Sequence, residues 1–236
     1  MRPISRKQLL REKLQPIFRT LKWKRFCRRG FNGLDEKLER HLNFDNGVFL
    51  EAGANNGVKQ SNTYYLEAIR NWKGILVEPV PDLYKQCLRR RKSSKVYHAA
   101  LVSNGYADDT IRLSFADLMT VVKDGSASEK HTREGRALQR LDNGYDFDAP
   151  AMTLDSVIES SGFRQIDFLS LDLEGYEAEA LSGLNLMRNG PRYLLVEVRE
   201  MSKILDVVGN YYRELEVLTD GGNYKDVLFV KVTPSE

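Results

Sequence analysis

From residue 47 onward, short apolar runs alternate with stretches of helical periodicity. The runs at 47–53 (GVFLEAG), 74–79 (GILVEP), 95–101 (KVYHAAL), 166–175 (IDFLSLDLEG) and 193–198 (YLLVEV) are nearly continuous in apolar residues. That is the pattern of strands covered on both faces in a parallel sheet. The intervals at about 60–70, 81–92, 153–161 and 176–188 predict helices. Two last runs, 215–220 and 226–232, flank Gly221, Gly222 and Asn223 and predict a terminal antiparallel hairpin. TIRLSF at 110–115 predicts a short additional strand. Strand and helix take turns, so the fold class expected is α/β, a Rossmann-like doubly wound sheet, mostly parallel with a C-terminal antiparallel hairpin.

Two segments break this rhythm. Between Ser5 and about Phe26, Leu10, Leu14, Ile17 and Leu21 stand at helical spacing among basic residues, with Pro16 dividing the stretch into two short helices. The interval from Ala116 to Pro150 is polar, charged and without apolar period, which fits a substrate-covering loop or a structural excursion. The expected organisation is a basic helical extension over residues 1–43, followed by one domain over 44–236 with an insertion at about 116–150.

Composition narrows the class. A chain of 236 residues with 42% hydrophobic and 29% charged residues can bury one substantial core, which argues against a mostly disordered protein. The net charge of +3 conceals an asymmetry: residues 1–30 carry eleven Lys or Arg against one acid, Glu12, leaving −7 on the remainder. Such an arm suits packing on the domain, contact with an anionic membrane surface or a charged substrate, a cleaved organelle-targeting segment, or a grip on nucleic acid phosphates. Cys27 and Cys87 are far apart and in no metal-like spacing, and no apolar run approaches bilayer length. The location expected is cytoplasmic, with peripheral membrane contact through residues 1–30.

The chemistry gathers at strand ends. Ligands of open parallel sheets bind beyond the carboxyl ends of the strands, and Glu51, Glu78, Asp172 and Glu197 all fall on that edge. The turn after the first strand reads E-A-G-A-N-N-G, with Gly53 and Gly57 but without the glycine spacing of a dinucleotide fingerprint. An acid there repels a pyrophosphate. S-adenosylmethionine (SAM) fits better, because its sulfonium and amino groups are positive and its ribose offers hydroxyls to an acid. Glu78 lies 21 residues past Gly57, about where an acid reaches ribose hydroxyls in nucleotide-binding folds.

EAGANNGVKQSNTYYLE, WKGILVEPVPDLY, MTLDSVI and IDFLSLDLEGYEAEALSGL follow one another in an order and spacing that resemble the FkbM family of SAM-dependent methyltransferases, over roughly residues 46–200. The resemblance implies a class I methyltransferase fold. It places the methionyl part of SAM near Glu51, Gly53, Ala54 and Asn55, with Gly57 allowing close backbone approach, and the ribose at Glu78. It also implies that Asp172 and Glu174 sit where methyl donor and acceptor meet, and that the acceptor is a hydroxyl oxygen, often of a glycan or a natural product. Ser61, in the loop 60–63, either holds the SAM carboxylate or simply caps the next helix.

A sugar hydroxyl is a poor nucleophile and needs a proton acceptor or a bound cation. Asp172 is the first candidate for the base, supported by Glu174 or Glu197, and the same three residues are the ligand set expected if Mg²⁺ takes part. Among the histidines, His98 reads as a hydrogen-bonded core residue and His41 as exposed, while His131, beside Lys130 and Arg133, is a second candidate base if the insertion closes over substrate. Tyr64, Tyr65, Trp72 and Tyr176 read as core. The leading expectation is a SAM-dependent O-methyltransferase acting on a free or lipid-linked saccharide. The alternatives are a nucleic-acid methyltransferase that uses the basic arm, and a non-catalytic binding module of the same fold.

Overall fold

The computed structural model describes residues 14, 17–18, 20–116, 119–122 and 145–232. A seven-stranded sheet forms the centre, built from β1 (Val48–Ala52), β2 (Lys73–Val77), β3 (Ser94–Tyr97), β8 (Phe168–Leu171), β9 (Tyr193–Val198), β10 (Tyr212–Asp220) and β11 (Lys225–Lys231). Its spatial order is β10-β11-β9-β8-β1-β2-β3. All neighbours are parallel except β11, which lies antiparallel between β9 and β10. This mostly parallel order with an inserted antiparallel strand is the class I methyltransferase arrangement. The chain direction across the sheet reverses between β1 and β8, so the crevice beyond their carboxyl ends is the topological switch point.

The near-continuous apolar runs become strands because both faces of the sheet are covered. Leu50, Ile75, Leu169, Leu171, Leu194 and Val196 point into one core, closed by Leu154, Val157 and Ile158. Their strand neighbours Phe49, Leu76, Phe168, Leu195 and Leu228 point into the other, closed by Leu34, Leu38, Leu42, Leu66 and Trp72. The period of two in side-chain direction thus feeds two separate cores from one set of strands.

The helices follow local signals. These are α1 (Lys24–Cys27), α2 (Leu34–Leu38), α3 (Tyr64–Ile69), α4 (Pro81–Arg90), α5 (Leu154–Ser161), α6 (Glu177–Leu181), α7 (Leu186–Asn189) and α8 (Met201–Val208). Pro81 opens α4, where a missing N–H costs nothing. Thr153 caps α5 by accepting from Ser156 N at 3.1 Å, and Gly162 ends it in the left-handed region at φ +72°. The single helix expected at 176–188 is two pieces, with Asn185 capping the second. No helix among the described residues is long and apolar enough to cross a membrane.

A second sheet departs from the expected pattern. The run at 95–101 divides: Ser94–Tyr97 stays in the main sheet, whereas β4 (Ala100–Leu101) pairs with β7 (Tyr145–Met152). In turn β7 pairs antiparallel with β5 (Thr110–Ala116), and β5 with β6 (Met119–Val122). Residues 145–150, which the polarity of the sequence assigns to the irregular insertion, are therefore strand. Only Ala149 of β7 is buried, so its outer positions read as loop. Met119–Val122 of the insertion is strand as well, whereas residues 117–118 and 123–144, including His131, Lys130 and Arg133, lie outside the described residues, as do residues 1–13, 15–16 and 19 of the basic arm.

Candidate active site

At the end of β1 the chain turns sharply against β8. Gly53 has φ +78°, and a Cβ placed there would lie 2.0 Å from the carbonyl oxygen of Asp172. No other residue fits. Gly53 N and Ala54 N donate to Val77 O at 3.2 Å each, which ties the turn to β2. Asn55 follows at φ +50° and Gly57 at φ +79°, where a Cβ would meet the Arg91 side chain at 2.9 Å.

Glu78, at the end of β2, closes this turn. It is 3% exposed, and its carboxylate accepts from Asn55 N at 2.7 Å and Val80 N at 2.9 Å. Burial pushes its pKa up to about 8 despite these two backbone donors.

Glu51 has a different task from the one expected. It is 4% exposed, and its oxygens are taken by Ser61 Oγ at 2.7 Å, Thr63 Oγ1 at 2.6 Å, Asn62 N at 2.8 Å and, in an ion pair at 3.5 Å, the Arg91 guanidinium. It positions the loop 61–63 behind the cradle instead of presenting a free carboxylate. Ser61 is equally occupied, and besides donating to Glu51 its Oγ accepts from Tyr64 N, the first residue of α3, at 3.0 Å. The loop instead offers Asn62, which donates to Ser170 Oγ at 3.2 Å while its Oδ1 is buried with no hydrogen-bond partner. An open acceptor beside β1 and β8 is what an ammonium group satisfies.

The opposite wall is acidic. Asp172 keeps an exposed face, yet burial is the largest cause raising its carboxyl well above the carboxylate range, followed by the charges of Glu197, Glu174 and Glu177. Glu174, at φ +57°, and Glu177 are each pushed up to about 7, burial first in both cases. Glu177 holds the turn after β8 by accepting from Leu173 N at 2.7 Å and Gly175 N at 3.1 Å. Glu197 faces Asp226 directly across the β9–β11 pair, and Asp226 is pushed up to about 6 by burial and by the Glu197 charge.

Arg199 is the cation inside this group, donating to Glu174 Oε2 at 2.6 Å and to Glu197 Oε1 at 2.8 Å. It bears on two of the three residues expected to hold Mg²⁺. Glu174 and Glu197 both bond Arg199, and among the described residues the acids whose oxygens lie within 4.8 Å of one another are Asp172, Glu177 and Glu197.

The remaining candidates are structural. His98 lies just past β3, stacked on Tyr84 with ring centroids 5.1 Å apart and hydrogen-bonded to Pro79 O at 2.9 Å. His41, expected to be exposed, is half-buried and meets Glu216 Oε2 at 2.8 Å. Tyr64, Tyr65 and Trp72 are core, and Tyr176 packs at the second sheet.

The residues present fit SAM. A glycine turn without room for a Cβ, an open amide acceptor, a carboxylate at the end of β2 and a cluster of acids after β8 match its close backbone approach, ammonium, ribose hydroxyls and sulfonium in turn.

A family model described as the methyltransferase FkbM domain matches residues 51–219. No curated protein matches the chain by sequence. Among solved structures, a SAM-dependent methyltransferase from Aquifex aeolicus is 11% identical, with 84% of this chain and 89% of that one covered and a TM-score of 0.45. The FkbM methyltransferase from Methylobacillus flagellatus is 13% identical, with 92% and 59% covered and a TM-score of 0.46. A TehB-like SAM-dependent methyltransferase from Corynebacterium glutamicum is 10% identical, with 95% and 99% covered and a TM-score of 0.45.

Proposed function

Because the chain belongs to the FkbM methyltransferase family, we propose that it moves a methyl group from SAM to a hydroxyl oxygen of a saccharide or glycan. When bound, SAM supplies a methyl carbon made electrophilic by its sulfonium. The chain's own residues do the rest. Glu78 takes the ribose hydroxyls on its remaining lone pairs, the backbone at Gly53 admits the cofactor closely, and Asn62 Oδ1 accepts from the ammonium.

Asp172 holds the acceptor hydroxyl and removes its proton as the new C–O bond forms. Burial and the charges of Glu197, Glu174 and Glu177 raise its proton affinity above that of an ordinary carboxylate, which strengthens it as a proton acceptor. Glu197 and Glu174 keep that affinity high, while Arg199 prevents the whole set from being neutralised by protons alone.

The observation that carries the reading is the cluster of acids around Asp172, with Glu197 and its cross-strand partner Asp226 on the side away from the cofactor turn. Carboxylates there accept from a neutral polyhydroxylated acceptor and repel a phosphate backbone. The residues after β8, Asp172-Leu173-Glu174, also lack the Asn/Asp-Pro-Pro-aromatic signature of many base-amino methylating enzymes.

Mass spectrometry of glycans from cells with and without the protein tests this. The expected result is a saccharide that loses one CH₂ in mass when the protein is removed. An unchanged glycan profile, together with transfer of labelled methyl to RNA or DNA, would replace the saccharide with nucleic acid.

A further inference from the structure

The described part of the basic arm carries a surface that methyl transfer does not use. Leu21 N donates to Ile17 O at 2.9 Å, which puts Ile17 and Leu21 on one side of a helical turn. They are 50% and 53% exposed, and Trp23 and Phe31 are 49% and 47% exposed. Four of the nine large apolar side chains exposed among the described residues therefore fall between residues 17 and 31, whereas the others are scattered singly. Lys22, Lys24 and Arg25, all exposed, alternate with them.

This surface is firmly seated. Phe18, 7% exposed, stacks on Phe26 with ring centroids 4.5 Å apart, and Trp23 lies 5.7 Å from each of the two rings. Beneath them Phe18 and Cys27 pack with Val58, Tyr64, Tyr65 and Ala68 of the domain. Further along, Gly30 bridges to Gln60 in the loop that leaves β1. The indole of Trp23 is supported from below and leaves about half its area outside.

We propose that this surface docks on an anionic membrane, with Ile17, Leu21, Trp23 and Phe31 entering the headgroup layer and Lys22, Lys24 and Arg25 meeting lipid phosphates. A half-exposed tryptophan flanked by lysines is suited to a membrane interface, where one side is apolar and the other wet and charged. The charge argues for the same occupant, since residues 1–30 carry +10 while the rest of the chain carries −7, so an anionic surface attracts this end and repels the other. Nucleic acid fits less well, because the aliphatic Ile17 and Leu21 give nothing to a phosphate or to a stacked base. A second copy of the arm would bring like charges together. Through the Gly30–Gln60 bridge, docking holds the cofactor loop beside the bilayer, where a lipid-carried acceptor would be presented.

Flotation of the full chain with vesicles of phosphatidylcholine, with and without phosphatidylglycerol, tests this. Trp23 is a built-in reporter because the second tryptophan, Trp72, is 1% exposed and bonded through its indole N–H to Phe44 O. Binding to the phosphatidylglycerol vesicles alone is expected, with a blue shift of Trp23 emission. Exchange of Lys22, Lys24 and Arg25 for glutamine should weaken it on the order of 100-fold, at about 1 kcal/mol per basic residue. Leu21→Ser with Trp23→Ser should also weaken it while SAM uptake stays unchanged, which separates the docking surface from the methyl-transfer site. Absence of vesicle binding at low salt, vesicle binding untouched by the serine pair, or capture of RNA in place of vesicles would each overturn the proposal.

Discussion

Arg91→Met is expected to lower the free energy of unfolding by about 3–5 kcal/mol, the range for breaking a buried ion pair from one side. The guanidinium has no exposed surface and is bonded all round: Nε donates to Glu67 Oε2 at 2.6 Å, Nη1 to Gly57 O at 2.9 Å and Ser61 Oγ at 3.1 Å, and Nη2 to Thr63 Oγ1 at 2.9 Å. It lies between the carboxylates of Glu51 and Glu67, which are 4% and 5% exposed. Methionine keeps most of the volume and removes the charge, so two enclosed acids lose their common partner. The same group ties the glycine turn to the loop 61–63, so the variant should also bind SAM more weakly. Urea unfolding followed by circular dichroism measures the first effect. A midpoint equal to that of the wild type would mean that the pair is not needed for folding.

Asp172→Asn is expected to reduce turnover by about 10²–10⁴-fold, the range for losing a positioned general base, while SAM is still bound. The substitution is nearly isosteric, but an amide cannot take the hydroxyl proton. It also removes a carboxyl whose ionised form is disfavoured by burial and by Glu197, Glu174 and Glu177, so stability should hold or rise. That sign matters because it separates lost chemistry from lost folding. Single-turnover assays with labelled SAM, alongside thermal unfolding, measure both. Near-normal turnover would move the base to another residue, with His131 the next to replace.

The sheet was readable because its strands are buried on both faces and show as apolar blocks that no other element imitates. Glu78, Asp172 and Glu197 could be located for the same reason, since each ends a block. What escaped has identifiable physical causes. Tyr145–Met152 alternates acids with aromatics and has only Ala149 buried, so a strand of the small second sheet resembles a polar loop. Met201–Val208 is short and buries only Ile204 and Val208, too little apolar pattern to separate a helix from the strand before it. Arg91 stands in a run of basic residues, Arg89-Arg90-Arg91-Lys92, which as sequence is a solvated face. Only the fold reveals that Arg91 turns inward. Glu51 was legible as an acid at a strand end but not as an anchor, because its partners Ser61 and Thr63 are brought back to it by the loop. Asp226 meets Glu197 through a β9–β11 pairing that joins distant parts of the chain.

The most direct test of the site is calorimetric titration of SAM into the full chain and into Glu78→Ala, with NAD⁺ as the control ligand. Free Glu78 titrates at about 8, and ribose hydroxyls donating to its carboxylate favour the ionised form and lower that value in the complex. Binding then releases a proton, so affinity should strengthen as the pH rises toward 8 and level off above it. The expected result is SAM binding in the micromolar range with that pH dependence, its loss in Glu78→Ala, and no binding of NAD⁺. Saturable NAD⁺ binding with no uptake of SAM, or SAM affinity undiminished in Glu78→Ala, would contradict it.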